Sequence, residues 1–374
     1  MSRKMLLLLT LSAIFVLVLA ACAAPPTPTP APKPTDAPKP TAVPATVAPK
    51  PTDAPKPTET KPAPTATTAP TVKPTETKSA ASGATLTAAK ASAAPKSAAD
   101  AAWNSATAFK TTLGKSDVTL KALYTSDEVY FLATWTDDAV SMVKTAWKYD
   151  GTKWEKQKGD EDRITFVWEM TPIKDFATKG CTVLCHTGGS DPTKWYMAVD
   201  SADQKADLWH WKSYRTNPLN FADDGSISVS DTKAAPPTGR LNDAGGGGDS
   251  RNETADKTNP ALMQDPAKTP SAKGFLVKGE TVEIKDFSSF KAGDVLPYRI
   301  LSKPDGSRGD IKANGAWASG AWTLMLNRKL NTGNADDVQF DPGKTYLFSV
   351  AVYNDAGDMN KSSYAGTITL TFAK

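Results

Sequence analysis

The chain has 374 residues, with 44 Lys and Arg against 40 Asp and Glu, and a formal net charge of +4 at pH 7. The positive excess lies near the N-terminus, because residues 101–374 carry 33 basic and 35 acidic side chains. Nucleic-acid binding needs a concentrated basic surface, so this balance argues against a nucleic-acid partner. Beyond the first 21 residues, no apolar run reaches the roughly 20 residues that a membrane-spanning helix needs.

The N-terminus has the pattern of an export signal. Two basic residues precede the apolar run Met5–Ala21, which ends in Leu-Ala-Ala and is followed by Cys22. This order is typical of a signal peptide, and the last four residues resemble a bacterial lipobox, which implies cleavage before Cys22 and acylation of its thiol. The alternative is ordinary cleavage near Ala21 with Cys22 incidental. We predict a signal peptide over 1–21 and an extracytoplasmic protein of the cell envelope, lipid-anchored to a membrane through Cys22.

Residues 22–100 have the composition of a tether. Eighteen of the 29 prolines lie between Pro25 and Pro95, and the string APKPTDAPKPT occurs twice. Proline fixes φ and removes a backbone donor, so the segment should be extended, solvated polyproline II rather than a packed domain. We predict a disordered spacer over 22–100 and a folded domain over 101–374.

The folded part is predicted to be mainly β. Val118–Tyr124 and Val129–Trp135 flank a short polar turn and predict a hairpin. Similar runs follow at Ile164–Trp168, Thr281–Ile284, Trp322–Asn327, Tyr346–Tyr353 and Thr367–Phe372. Short strands with little helical periodicity predict an antiparallel β-sandwich with long loop excursions. The longest excursion is expected over Pro218–Gly274, which is poor in large apolar residues.

Two cysteines and a histidine are the most informative cluster. Cys181, Cys185 and His186 occur in Gly-Cys-Thr-Val-Leu-Cys-His, and the chain has only two histidines. A C-x-x-C-H run attaches haem c through two thioether bonds and one imidazole ligand. The spacing here is one residue longer, which leaves covalent haem as one interpretation. The other is a disulfide, which an exported protein forms readily, with His186 free to ligate a non-covalent haem. A zinc site lacks enough further ligands.

The second histidine, His210, lies between Trp209 and Trp211. Successive side chains of a strand point to opposite faces, so both tryptophans should point away from the histidine. On composition we interpret His210 as part of an aromatic packing cluster.

An ordered set of segments resembles one protein family. The segments are EDRITFVWEM from Glu161, the cysteine run, DLWHWKSYR from Asp207, GSRGDIKANGAW from Gly306, WTLMLNRKLNTG from Trp322 and DDVQFDPGKTYLFSVAVYND from Asp336. Together they resemble the haem-binding subunit of ethylbenzene dehydrogenase and its relatives, a haem-binding domain associated with the DMSO-reductase group of molybdenum enzymes. The resemblance covers nearly all of 101–374. It implies a β-sandwich that holds one haem and passes single electrons to or from a partner.

The resemblance also implies iron ligands. In that family the haem is b-type, with a methionine and a lysine as axial ligands. Lys361 matches the lysine by position, and either His186 or Met197 occupies the place of the methionine. The cofactor is therefore expected to be haem c if Cys181 and Cys185 are thioether-linked, and haem b otherwise.

These inferences predict an electron-transfer protein rather than an enzyme. Its partner would be a redox protein, with a molybdenum/iron–sulfur oxidoreductase as one candidate. The alternative is a tethered β-sandwich that binds a surface ligand such as carbohydrate, with Cys181 and Cys185 in a disulfide. A sugar-binding module would present exposed tryptophans on one face.

Overall fold

The computed structural model describes residues 83–235, 237–269 and 274–374. The predicted signal peptide, Cys22 and most of the predicted tether lie outside these residues. Within the described part of the chain, no helix is both long and apolar enough to cross a membrane.

The described residues form a mainly β structure, as predicted. Their strands are β1 (Thr85–Lys90), β2 (Phe109–Leu113), β3 (Ser116–Tyr124), β4 (Glu128–Thr136), β5 (Ala146–Tyr149), β6 (Trp154–Gln157), β7 (Arg163–Glu169), β8 (Ala206–Lys212), β9 (Asp223–Asp231), β10 (Thr238–Asn242), β11 (Gly248–Arg251), β12 (Leu262–Gln264), β13 (Leu276–Val277), β14 (Thr281–Glu283), β15 (Val295–Pro297), β16 (Arg299–Ser302), β17 (Lys312–Ala318), β18 (Ala321–Lys329), β19 (Tyr346–Tyr353), β20 (Ser363–Tyr364) and β21 (Ile368–Phe372). The α-helices are α1 (Phe176–Lys179) and α2 (Thr182–Cys185), and 3₁₀ turns occur at Ala101–Ser105, Pro192–Lys194, Asn217–Leu219, Ser307–Gly309 and Met359–Lys361.

One large sheet holds most of the strands. Its hydrogen-bonded order is β10-β9-β8-β7-β19-β21-β1-β3-β4-β18-β17, with β2 on β3 and β20 on β19. Most neighbours are antiparallel, but β1 runs parallel to both β21 and β3. Three smaller sheets, β11-β16-β13, β12-β14 and β15-β5-β6, complete the described part.

The large sheet folds over an aromatic core, so that its two halves form the layers of a sandwich. Phe131 on β4 packs against Phe166 on β7, with 5.7 Å between ring centroids. Trp211 on β8 packs edge-on against Trp322 on β18, with centroids 5.0 Å apart. Each of the seven predicted β runs overlaps a strand, and six of them lie in the large sheet and supply residues to this core, whereas the run at Thr281–Ile284 forms β14 of a small sheet.

Two predicted boundaries are wrong. The folded part starts before 101, because β1 lies in the large sheet between β21 and β3 and buries Leu86 and Ala88. The Ala/Ser/Lys composition around β1 resembles that of the tether and concealed this strand. The region Pro218–Gly274 is also more than an excursion, since β9 is a nine-residue strand of the large sheet. Its alternate positions are serine and aspartate rather than apolar, which hid the strand pattern.

A buried ion cluster joins the two layers at one end of the core. Arg328 on β18 and Asp207 on β8 have fully buried side chains, and Arg328 Nη1 lies 2.9 Å from Asp207 Oδ2. The same nitrogen lies 2.8 Å from Asp224 Oδ2 and 3.5 Å from Asp337 Oδ1. Arg328 Nη2 also donates to the carbonyl of Val338 at 2.7 Å. One guanidinium thus holds three carboxylates together.

The close approach of β17 to Trp211 requires a glycine. A Cβ built on Gly315 would lie 2.5 Å from the fully buried ring of Trp211. We expect Gly315→Ala to lower the free energy of unfolding by about 1–3 kcal/mol, because the ring has no free volume to move into. Denaturant unfolding monitored by tryptophan fluorescence measures this loss. Gly274→Ala is the control, since its Cβ would meet no atom within 4 Å; equal losses in the two variants would contradict the packing argument.

Candidate functional site

The chain between β7 and β8 covers one surface of the large sheet. We call residues 170–205 the covering segment, and we call outer face the side of β7, β8 and β19 that points away from the aromatic core. On the outer face, Thr165 of β7 pairs with His210 of β8 on one side and with Ala351 of β19 on the other. Val167 similarly lies opposite Leu208 and Ser349. The predicted site residues fall on the covering segment and on the turn after β19.

The two cysteines lie on one side of a single helical turn. Cys181 caps α2 and Cys185 ends it, and the Cys185 N–H donates to the Cys181 carbonyl at 2.7 Å. Residues four apart share one face of a helix, and this face packs both thiols into an apolar cluster with Val167 and Leu208. Both thiols are free and buried. The fold thus brings the two sulfur atoms to one side of the same helical turn.

Hydrogen bonding sets the acidity of the two thiols in opposite directions. A hydrogen bond from Cys185 lowers the pKa of Cys181. Burial raises that pKa, and a hydrogen bond from the Ser349 hydroxyl lowers it again, so that the net shift is downward. The hydrogen bond between the two thiols, together with burial, raises the pKa of Cys185 well above its usual range.

His186 follows α2 and lies between two aromatic rings. Its imidazole stacks on Trp195 at 3.8 Å between centroids, with an interplanar angle of 13°, and meets the edge of Tyr364 at 5.2 Å. Burial lowers the pKa of His186 to about 4. The ring is therefore neutral near pH 7, and neutral imidazole is the form that binds a metal.

The remaining two predicted ligands differ in their surroundings. Met197 is buried in the same cluster as the two cysteines. Lys361 lies on the 3₁₀ turn after β19, but its side chain is 62% exposed and its Nζ lies 3.5 Å from Asp358 Oδ2. Met359 on that turn, to which the sequence assigned no role, packs its side chain against the cysteine cluster. The structure thus gathers Cys181, Cys185 and Met197, with Met359 as an addition, and directs the amine of Lys361 to solvent.

His210 is not part of the aromatic core. It lies on the outer face, opposite to Trp209 and Trp211, as strand alternation predicts. It is 4% exposed, stacks on Tyr353 at 6.4 Å, and neither ring nitrogen has a hydrogen-bond partner among the described residues. Buried polar atoms are normally paired, so both nitrogens are available to a partner from outside the described residues.

Basic side chains surround His210. Burial lowers its pKa well below the usual range, and the charges of Lys212, Arg240, Arg163 and Arg215 act in the same direction. Three of these four side chains have carboxylate partners: Lys212 pairs with Asp223, Arg163 with Asp160 and Glu161, and Arg215 with Glu161 and Asp249. The outer face therefore joins an apolar half that bears the thiols to a half lined by basic side chains, most of them in ion pairs.

The neutral state of His210 predicts a specific acid sensitivity. The unfolded chain takes up a proton at this residue near pH 6.5 while the folded chain does not, so stability falls as the pH drops below that value. We expect His210→Leu to lose less stability than the wild type between about pH 7 and about pH 5. Thermal unfolding midpoints at the two pH values give the comparison. Equal losses would mean that His210 has a partner in the folded protein.

The burial of His210 has a signal in the sequence of β8. All seven residues of β8 are buried, and a histidine on a strand that is buried on both faces must point into a second packed layer. The residues of that layer come from β7, β19 and the covering segment, which are distant in sequence.

Family comparison gives one match. A model of the ethylbenzene dehydrogenase family matches residues 84–365. A search of curated proteins gave no significant match.

Solved structures give only distant likenesses. A family 9 carbohydrate-binding module from Caldicellulosiruptor kristjanssonii, in complex with cellotriose, is 9% identical, with a TM-score of 0.30 over 77% of this chain and 94% of that one. The same module in complex with glucose is 8% identical, with a TM-score of 0.30 over 77% of this chain and 96% of that one. A putative carbohydrate-binding protein from Bacteroides uniformis ATCC 8492 is 10% identical, with a TM-score of 0.33 over 78% of this chain and 99% of that one. At such low scores the likenesses carry no argument.

Proposed function

The chain belongs to the ethylbenzene dehydrogenase family, and we propose that it is an extracytoplasmic, lipid-anchored haem protein that carries single electrons to or from a redox partner. The family supports a role associated with an oxidoreductase. The observation that carries the haem assignment is the grouping of two buried thiols, a neutral His186 and the thioether of Met197 on one covering segment.

The donors present suit a haem. Imidazole and thioether are common axial ligands of haem iron, and paired cysteines on one helical face are the chemistry of covalent attachment. The orphaned nitrogens of His210 and the positive charge of Arg240 suit the carboxylates of a porphyrin on the polar half of the outer face. A haem there would supply a one-electron iron couple.

The protein groups have separate tasks in this proposal. His186 and Met197 would hold the haem iron through an imidazole nitrogen and a thioether sulfur, and the haem would supply the one-electron couple that a carrier needs. Trp195 holds the plane of the His186 ring by stacking on it. Cys181 and Cys185 would form thioether bonds in a c-type site, or pack against the ring edge in a b-type site.

The location of the partner follows from the predicted anchor and tether. A lipid at Cys22 and a polyproline spacer would let the domain reach a partner away from the membrane surface. We propose a redox protein as that partner, and a molybdenum/iron–sulfur oxidoreductase is the candidate that the family suggests.

The carbohydrate-binding alternative requires solvent-exposed tryptophan rings. Flat sugar-binding surfaces need aromatic rings that face solvent. All ten tryptophans lie in the described residues; eight are buried, and Trp195 and Trp317 are half-buried. Trp195 is already stacked on His186. The alternative therefore has no exposed tryptophan platform in the described part of the chain.

A redox titration of the purified full chain tests the proposal. We expect a reversible one-electron transition in the visible spectrum, with one haem per chain by pyridine haemochrome assay. A haem-free, well-folded protein that binds cello-oligosaccharides in calorimetry would instead establish the binding-module alternative. A haem protein that turns over a small substrate would contradict the assignment as a carrier.

A further inference from the structure

A second acidic group adjoins the Arg328 cluster. The ligand oxygens of Asp243, Asp336 and Asp337 lie within 4.8 Å of one another, as do those of Asp207, Asp224 and Asp337. Arg328 neutralises the second of these sets. The described residues offer no ion pair to Asp243 or Asp336, so the first set lacks a cation of its own.

Asp243 is the residue that points to a missing ligand. It is 4% exposed, and neither of its carboxylate oxygens has a partner within hydrogen-bond distance among the described residues, although the nearby Ser226 hydroxyl lowers its pKa slightly against the effect of burial. Burial, and then the charge of Asp336, raise its pKa to about 8. Burying a carboxylate without a partner lowers the stability of the fold by several kcal/mol, roughly the cost of losing a hydrogen bond to a charged group. Such groups therefore usually form an ion pair or bind a metal.

We propose that Asp243, Asp336 and Asp337 bind a divalent cation of the calcium type. Calcium takes carboxylate oxygens at 2.3–2.6 Å, so two ligands of one ion lie no more than about 5 Å apart. The oxygens of the three aspartates, which lie within 4.8 Å of one another, satisfy this condition. Calcium also tolerates irregular geometry and water ligands, whereas magnesium demands a near-ideal octahedron that three converging carboxylates do not supply.

The loops around the group favour binding. Asp337 Oδ2 accepts hydrogen bonds from Thr332 Oγ1 at 2.5 Å and from Asn334 Nδ2 at 3.1 Å, which fix this carboxylate in place. Asp336 is half-buried and leaves a route from solvent. Asp243 follows β10, and the other two residues precede β19, so the ion would tie the edge of the sheet to the β18–β19 connection.

Calcium binding to the full chain tests this site. The protein is freed of metal with EGTA and titrated with CaCl₂ in a calorimeter, and its thermal unfolding is followed with and without CaCl₂. We expect one ion per chain and a higher unfolding temperature with calcium. Asp243→Asn and Asp336→Asn should each weaken binding at least tenfold. Asp138→Asn, which alters an exposed acid elsewhere, should leave binding unchanged.

The metal-free variants separate a binding role from a structural one. Without calcium, Asp243→Asn should unfold at the same or a higher temperature than the wild type, because it removes a buried carboxyl group that lacks a hydrogen-bond partner. A clear loss of stability there would overturn the proposal, since it would mean that the protein itself pairs this carboxylate. Absence of saturable one-to-one binding, or unchanged affinity in Asp243→Asn, would overturn it as well.

Discussion

Replacing Arg328 with methionine is expected to lower the free energy of unfolding by about 3–5 kcal/mol. The substitution keeps an apolar side chain over Trp209, on which the guanidinium now lies at 4.6 Å from the ring centroid. It removes the only cation that contacts Asp207 and Asp224 among the described residues. Two fully buried carboxylates would then face each other without compensation, and this repulsion rather than lost packing causes the effect.

Denaturant unfolding of the full chain in EGTA measures this loss. Arg251→Met is the matched control, because Arg251 is 60% exposed and lies 3.7 Å from Glu253; its loss should be no more than about 1 kcal/mol. Burial raises the pKa values of Asp207 and Asp224, so these groups take up protons first as the pH falls. The difference between Arg328→Met and wild type should therefore shrink in acid. A difference that is small at neutral pH would contradict the role given to Arg328.

Replacing His186 with alanine is expected to open a coordination position on the haem. The imidazole is neutral and stacked on Trp195, and the neutral ring is the form that binds a metal. In the wild type, six-coordinate iron should exclude carbon monoxide after reduction. In His186→Ala the reduced protein should bind carbon monoxide, with a shifted Soret band, and rapid-mixing absorption spectroscopy records both changes.

Lys361→Ala is the comparison variant for this experiment. Its amine is exposed and lies near Asp358, so we expect this change to leave the spectrum and the exclusion of carbon monoxide intact. The opposite pair of results would contradict the assignment. In that case Lys361 would be the axial ligand, as the family resemblance implies, and His186 would serve to pack against Trp195.

The fold was predictable where apolar residues alternate. Strand β3 of the first hairpin shows the period-two pattern that a half-buried strand requires, and β19 is a continuous run of mostly apolar residues, which is typical of a strand buried on both faces. Strands β1 and β9 were missed because alanine, threonine, serine and aspartate occupy most of their positions. Such strands are held by pairing with their neighbours, and sequence periodicity does not record pairing partners.

The candidate site was predictable only in part. Cys181, Cys185 and His186 are adjacent in the chain, so their scarcity and spacing were sufficient to select them. Their placement over the outer face next to His210 depends on strand order, which joins residues far apart in sequence. The exposure of Lys361 likewise follows from the turn geometry after β19, which its position in a family motif does not determine.

The most direct test is an absorption spectrum of the full chain, produced in a host with haem c maturation and then extracted with acid-acetone. We predict a Soret band near 400 nm in the wild type. A band that stays with the polypeptide, and is released in the Cys181→Ser/Cys185→Ser variant, would establish covalent attachment; a band that leaves with the solvent would establish a b-type site. A well-folded protein without a Soret band would contradict the proposal that this chain carries electrons on a haem.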